Sequence, residues 1–406
     1  MREKLSGIVS GVDFLNHSFI QQPFPVYAKL RENEPVHRLL LPSGHYAWMV
    51  SRYEDAVKIL QDGRFVTSPP HQGQMGEKQP PHMEIISNNL LSVGPEDHQR
   101  LRRLVQKAFT PRMIEKLRGR IEQVSEGLLD KVLASDKRDI DLIEEYAFPL
   151  PIIVICEMLG VPLEDQDKFR IWSNTIMEGV SNPQLSHKMD EVMKSFVEYL
   201  QQLIADRRKH LKEDLISDLI SVEEQGDKLT EHELYALVFV LIIAGHETTV
   251  NLIGNGILAF LEHPEQKRLL MEKPDLIQSA VEEVLRFNGP AEVSNIRWAI
   301  EDVDFYDNMI QKGDMMLVAL SSANRDSMQF DEPDTFDITR KVNNHIAFGK
   351  GVHYCLGAPL ARLEGEIAIN DLFRRLPDIR LNTDPLLLEW RPGMIIRGLK
   401  RLPIAF

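Results

Sequence analysis

Apolar and polar residues alternate from Pro35 to Leu41 and again from His45 to Val50, on either side of Pro42-Ser43-Gly44. A two-residue period broken by a Pro-Ser-Gly turn predicts a β-hairpin. From about residue 95 the period lengthens to that of a helix. Pro95, followed by Glu96 and Asp97, opens one helical stretch, as suits the positive end of a helix dipole. Thr110 and Pro111 open the next, a hydroxyl cap followed by proline at the first helical position. Thr230 and Glu233, three apart, carry the capping-box pattern ahead of the longest helical segment, from 230 to about 263. "PDLIQSAVEEVLRF" (274–287) reads as a further helix closed by Asn288-Gly289-Pro290. Short β patterns return at 293–318 and within "GMIIRGLKRLPIAF" (393–406). The pattern predicts a mainly α protein with small β-sheets. No repeat, low-complexity tract or linker interrupts it, so one domain over 1–406 is expected. Residues 68–82, rich in Pro and Gly, are too long for a plain connector and read as a mobile lid.

Composition narrows the class. Hydrophobic residues make up 43%, enough for a large core and too many for disorder. A net charge of −14 argues against nucleic acid or an anionic membrane as a global partner. Two cysteines cannot build a disulfide framework. Cys156, in "LPIIVICEML", reads as a small buried hydrophobe. The apolar run from Leu234 to Gly245 is shorter than the roughly 20 residues of a membrane span, and the first residues lack a signal-like apolar run. A cytoplasmic monomer is expected.

Cys355 changes the picture. It stands in "HIAFGKGVHYCLGAPLAR" (345–362), between Gly351 and Gly357 and just ahead of a helical pattern that Ala358-Pro359 begins. The dipole and free N–H groups of a helix start favour a thiolate, which is either a nucleophile or a metal ligand. Zinc would have only His353 and Cys355 as ligands. A catalytic thiol would need a base, and an isolated cysteine is by default structural. The residues of this loop alone leave these options open.

A second unusual stretch is "IIAGHETTVN" (242–251). Glycine inside a helix costs about 1 kcal/mol against alanine. An acid and two threonines in an apolar segment cost more if they are buried without partners. The segment is either a surface turn of an amphipathic helix or a distortion that sets protonatable groups over a ligand. Glu283 and Arg286, three apart, share a helix face, as do His98 and Arg102, four apart. Arg297 falls in a β-like segment.

From Phe348 to Gly357 the loop reads F-x-x-G-x-H-x-C-x-G, and here the chain resembles the cytochrome P450 family of haem-thiolate monooxygenases. The resemblance implies the cytochrome P450 fold, a single triangular-prism haem domain. It implies Cys355 as axial ligand of haem b (iron protoporphyrin IX), whose electron donation favours O–O cleavage. Phe348 would pack beside the sulfur. Ala244-Gly245-His246-Glu247-Thr248 matches the family's oxygen-binding motif. Ala244 and Gly245 would let haem and dioxygen approach, Thr248 would steady the bound oxygen, and Glu247 would relay protons; His246 would be structural. Glu283, Arg286 and Arg340 would form a buried ion triad. His98, Arg102, Arg297 and His353 would meet the haem propionates. Val240, Ile243, Val293 and Ile395 occupy positions that face the substrate pocket in the family.

The activity so implied is insertion of one oxygen atom into an apolar molecule of the polyketide, terpenoid, steroid or fatty acyl class. Electrons from NAD(P)H would come through a separate ferredoxin or flavodoxin and its reductase. Arg103, Lys107, Arg112, Lys350 and Arg362 would form a basic landing patch for that donor. A peroxide-driven peroxygenase is the nearest alternative, disfavoured because such relatives lack the acid-threonine pair. A haem carrier or gas sensor is an alternative of another class, which needs neither the threonine nor a pocket. An isomerase or synthase on the same haem is a further one.

Overall fold

The computed structural model describes residues 13–406 except 15, 42–43, 70–82, 84, 86–87, 182–185 and 225. Beyond Pro69, the segment read as a lid lies outside the described residues.

The early alternation folds as a hairpin. Strand β1 (Val36–Leu40) runs antiparallel to β2 (Tyr46–Val50), with Val36 opposite Val50 and Leu40 opposite Tyr46. Helix α1 (Tyr53–Gln61) and the short strand β3 (Phe65–Val66) follow. Helix α2 (Pro95–Ala108) starts at the proline, with Glu96 and Asp97 in its first turn, and buries His98, Leu101, Leu104, Val105 and Ala108 on one face. Helix α3 (Pro111–Ala134) is capped by Thr110, whose hydroxyl accepts the Met113 N–H at 3.2 Å. Strand β4 (Asp139–Asp141) and helix α4 (Pro149–Met158) come next. Cys156 on α4 is fully buried, and burial pushes its thiol up to about 12.

Helix α5 (Glu231–Glu262) is the central rod. Its capping box is complete: the Thr230 hydroxyl accepts from Glu233 N–H, and the Glu233 carboxylate accepts from Thr230 N–H at 2.8 Å. The apolar run read as too short for a membrane span continues through the polar motif as one helix. An 18-residue window reaches a mean hydropathy of 1.8, long and apolar enough by length and composition alone to cross a bilayer. Here α5 packs among protein instead, against α4, α6 (Ile277–Asn288) and α7 (Ala358–Arg375). The approach is tightest at Gly256. A Cβ there would lie 3.1 Å from Val284 of α6 and 3.3 Å from Ile369 of α7. The expected distortion at 244–249 does not break the helix. The Thr248 and Thr249 hydroxyls instead donate to the carbonyls of Ala244 and Gly245 at 2.8 and 3.1 Å.

Strands β5 (Arg297–Ala299) and β6 (Met315–Val318) complete a mixed five-stranded sheet in the order β1-β2-β6-β5-β3. Only β2 and β6 pair in parallel, with Ala47 opposite Met315 and Val50 opposite Val318. A smaller antiparallel sheet, β7 (Arg380–Leu381), β8 (Pro403–Ala405) and β4, ties the C-terminal segment to residues 139–141. One large apolar cluster lies among the helices, and two smaller ones lie around the five-stranded sheet.

Candidate active site

Cys355 is half-buried, three residues ahead of α7. The backbone N–H groups of Gly357 and Ala358 act on its sulfur and favour the anion. Its own N–H donates to the Phe348 carbonyl at 3.0 Å, which closes the loop. Gly351 turns with φ +76°, and a Cβ there would meet the Leu60 carbonyl of α1 at 2.8 Å. Burial pushes the Cys355 thiol up, and the two N–H groups with the charges of Arg102 and Arg362 recover only part of that shift. A metal ion on the sulfur would hold it as the thiolate.

Next to the sulfur, α2, β5 and the cysteine loop bring four basic side chains together. The rings of His98 and His353 lie 4.0 Å apart between centroids. Arg297, 4% exposed, donates from Nη1 to the Phe65 carbonyl at 3.1 Å. Its Nε and the Nδ1 of His353 are buried with no hydrogen-bond partner among the described residues. Arg102 donates to the Tyr354 carbonyl at 2.7 Å. Burial, then His98, Arg297 and Arg102, lower His353 to about 3. Burial lowers Arg297 to about 10. Among the described residues none of these four side chains pairs with a carboxylate. Two guanidiniums held beside two imidazoles with no carboxylate partner are costly, so the cluster suits an anion.

On α5, Ala244 and Gly245 are exposed in the middle of an otherwise buried stretch. No protein atom lies nearer than 3.7 Å to a Cβ built on Gly245, so protein packing does not demand glycine there. Glu247, 1% exposed, accepts from Arg391 Nη1 at 3.0 Å and from Asn251 Nδ2 at 3.3 Å. His246 is fully buried: Nε2 meets the Ser173 hydroxyl and Nδ1 meets the Ile242 carbonyl, both at 3.1 Å. Glu364 of α7 is also buried, and burial pushes its carboxyl up to about 8, against a smaller opposing pull from the Thr249 side chain.

Glu283, Arg286 and Arg340 meet. Arg286 reaches the Glu283 carboxylate through Nε and Nη2 at 2.8 and 2.7 Å, and Arg340 Nε lies 3.2 Å from Glu283 Oε2. The remaining Arg286 donors are taken by the carbonyls of Asn324, Pro333 and Thr335. Asn343 and the Asp337 N–H also bond Glu283, so the buried charges are compensated on every side.

The sequence model of the family described as "Cytochrome P450" matches residues 14–378. The chain is 43% identical over 397 residues to the polyketide biosynthesis cytochrome P450 PksS of Bacillus subtilis (strain 168), covering 95% of this chain and 96% of that one. It is 41% identical over 382 residues to the mycinamicin IV hydroxylase/epoxidase of Micromonospora griseorubida, covering 94% of each. The crystal structure of P450BioI, in complex with an acyl carrier protein bearing hexadec-9Z-enoic acid, superposes with a TM-score of 0.88. That pair is 37% identical, over 96% of this chain and 99% of that chain. The chain belongs to the cytochrome P450 family.

A cytochrome P450 carries haem, and the residues present fit it. The propionates of haem b would supply the negative charge that the His98–Arg102–Arg297–His353 cluster lacks, and its iron would hold the Cys355 sulfur as a thiolate. Phe348 sits in the cysteine loop under the Arg362 guanidinium, 4.6 Å from the ring centre.

Val293 is 3% exposed, packs with Phe14, Tyr27 and Leu317, and bridges to Ala319 just past β6. Arg362 is not a free surface cation, because Glu282 holds it by two hydrogen bonds. Of the other pocket positions, Val240 is buried, Ile243 is half-buried and Ile395 is 50% exposed. Sequence reasoning passed over Arg391, Glu364, Glu282 and His345. Only the Glu282-Glu283 doublet left a trace in the sequence.

Proposed function

We propose that this cytochrome P450 is a monooxygenase of one domain that inserts an oxygen atom of dioxygen into an apolar chain, with electrons relayed from NAD(P)H by a separate ferredoxin or flavodoxin and its reductase. The observation that carries this reading is a half-buried sulfur at a helix start beside a carboxylate-free cluster of two arginines and two histidines. Cys355 would hold the haem iron, and His98, Arg102, Arg297 and His353 its propionates. Bound haem supplies the activation of dioxygen. Ala244 and Gly245 leave room over it, and the chain's own part is then proton handling. The Thr248 hydroxyl gives its proton to the Ala244 carbonyl, which leaves its lone pairs to accept from a bound partner. Glu247, adjacent to Thr248 in sequence, screened from solvent and held by Arg391, would relay protons toward it.

Names of relatives support the substrate class. They include a polyketide biosynthesis enzyme, a mycinamicin hydroxylase/epoxidase and a protein solved with an acyl carrier protein. A polyketide or fatty acyl chain therefore ranks above a terpenoid or steroid, with Ile243 and Ile395 as candidate contacts. The test is binding and turnover. Hexadecenoic acid, free and on an acyl carrier protein, and a macrolide should each be scored for a Soret blue shift and for NADPH-dependent hydroxylation. A ferrous-CO band away from the thiolate position would overturn the reading.

A further inference from the structure

The Arg362 cation is locked in place on the sulfur side of the protein. Its Nε and Nη2 donate to Glu282 Oε1 and Oε2 at 2.6 and 2.9 Å, and its Nη1 donates to the Tyr354 hydroxyl at 3.2 Å. His345 Nε2 lies 3.1 Å from Glu282 Oε2. The Ala347 N–H donates to His345 Nδ1, so Nε2 carries the proton that Glu282 receives. Burial works against a charge on Glu282, yet the bonds from Arg362 and His345 overcome it and hold the carboxyl down at about 2. The guanidinium so anchored lies over the Phe348 ring. Phe348 in turn accepts the Cys355 N–H through its carbonyl. One carboxylate on α6 thus fixes a cation against the aromatic residue that closes the cysteine loop.

We propose that the Glu282–Arg362 pair is a charge-balancing and positioning element that sets the reduction potential of iron held at Cys355. This inference rests on the reading above that Cys355 ligates haem. A positive charge near a thiolate favours uptake of an electron by the metal it binds, and a nearby negative charge opposes it. Paired, the carboxylate offsets part of the pull that the Arg362 cation exerts on the sulfur, while the stacked guanidinium keeps the Phe348 ring in register. Arg362 and Glu282 are 30% and 29% exposed at their side chains, so water damps their field without erasing it. Glu282 and the neighbouring Glu283 divide the work, since Glu283 faces Arg286 and Arg340 and leaves Arg362 to Glu282.

The two single substitutions must therefore act in opposite directions. Redox titration of substrate-free holoprotein should show the potential raised in Glu282→Gln, where the cation is left unbalanced, and lowered in Arg362→Met, where the carboxylate is. The double variant should return toward wild type, and both single shifts should shrink at about 0.5 M salt. Arg362→Lys keeps the charge and should stay near wild type. A purely structural pair would shift both single variants the same way or neither, and that result overturns the inference. If Arg362→Met yields no holoprotein, an unchanged potential in Glu282→Gln overturns it alone. The ferrous-CO band of the wild type separates the two levels: without thiolate ligation the functional reading fails, and with it only the pair's role is in question.

Discussion

Arg391 Nη1 lies 3.0 Å from Glu247 Oε1, so a side chain from the C-terminal segment balances the charge of the acid on α5. Glu247 is 1% exposed at its side chain and Arg391 26%. Arg391→Met should therefore strand a buried carboxylate. The cost should be about 2–3 kcal/mol, less than a fully buried pair loses because the guanidinium reaches water. Chemical denaturation should show that loss. Product formed per NADPH should fall as well, while Arg391→Lys should recover part of both.

Thr248→Ala should uncouple turnover rather than stop electron flow. The variant loses the hydroxyl now bonded to the Ala244 carbonyl, without touching the helix's own ladder. NADPH oxidation should persist, hydrogen peroxide should rise, and product per NADPH should drop several-fold. Unchanged coupling would show that the hydroxyl serves only the helix.

Arg286→Leu should fail at folding or haem retention. It leaves Glu283, wholly buried, without its two-point partner and strands three carbonyls. The loss of about 3–5 kcal/mol is a large share of a typical stability. A normal yield of holoprotein would count against this.

Glu364 predicts a pH dependence. Its carboxyl is raised to about 8 by burial, against about 4.3 in an unfolded chain. The folded state therefore holds the proton longer, and stability falls as pH rises from about 4.5 through 8. Glu364→Gln should flatten that decline and be the more stable form at pH 8, by about 2–4 kcal/mol. Urea denaturation of both proteins at pH 5 and pH 8 measures it. Equal slopes would mean that the carboxyl finds a charge-stabilising partner in solution.

Donor reduction should slow with ionic strength and slow further in Arg103→Glu. Arg103, Lys107 and Arg112 are exposed on α2 and α3, and steering by such charges is screened within about 10 Å at 0.1 M salt. Stopped-flow reduction by an acidic ferredoxin gives the rate. Indifference to both changes would remove the landing patch from the account. Arg362 is excluded from that patch, since Glu282 already holds it.

The local features were legible. Hairpin alternation, the Thr110 and Thr230 caps and the proline starts are short-range, and each appears where the pattern put it. The site was legible only where one stretch of chain carries it, as in the Cys355 loop and residues 244–248. Partners brought in from afar left no signal: Arg391 lies 144 positions from Glu247, and Arg362 lies 80 from Glu282.

The parallel pairing of β2 with β6 carries a consequence for synthesis. Residues 47–50 wait for residues 315–318, and the Ile20 carbonyl waits for the Arg397 guanidinium. His98 and Arg102 leave the ribosome long before Arg297, His353 and Cys355. At about 5–20 residues per second, the interval is on the order of tens of seconds. Throughout it the early helices hold apolar faces with nothing to cover them, and no complete pocket exists. On the reading that these residues hold haem, cofactor capture would follow translation rather than accompany it, because His98 and Arg102 stand until then without the later members of their cluster.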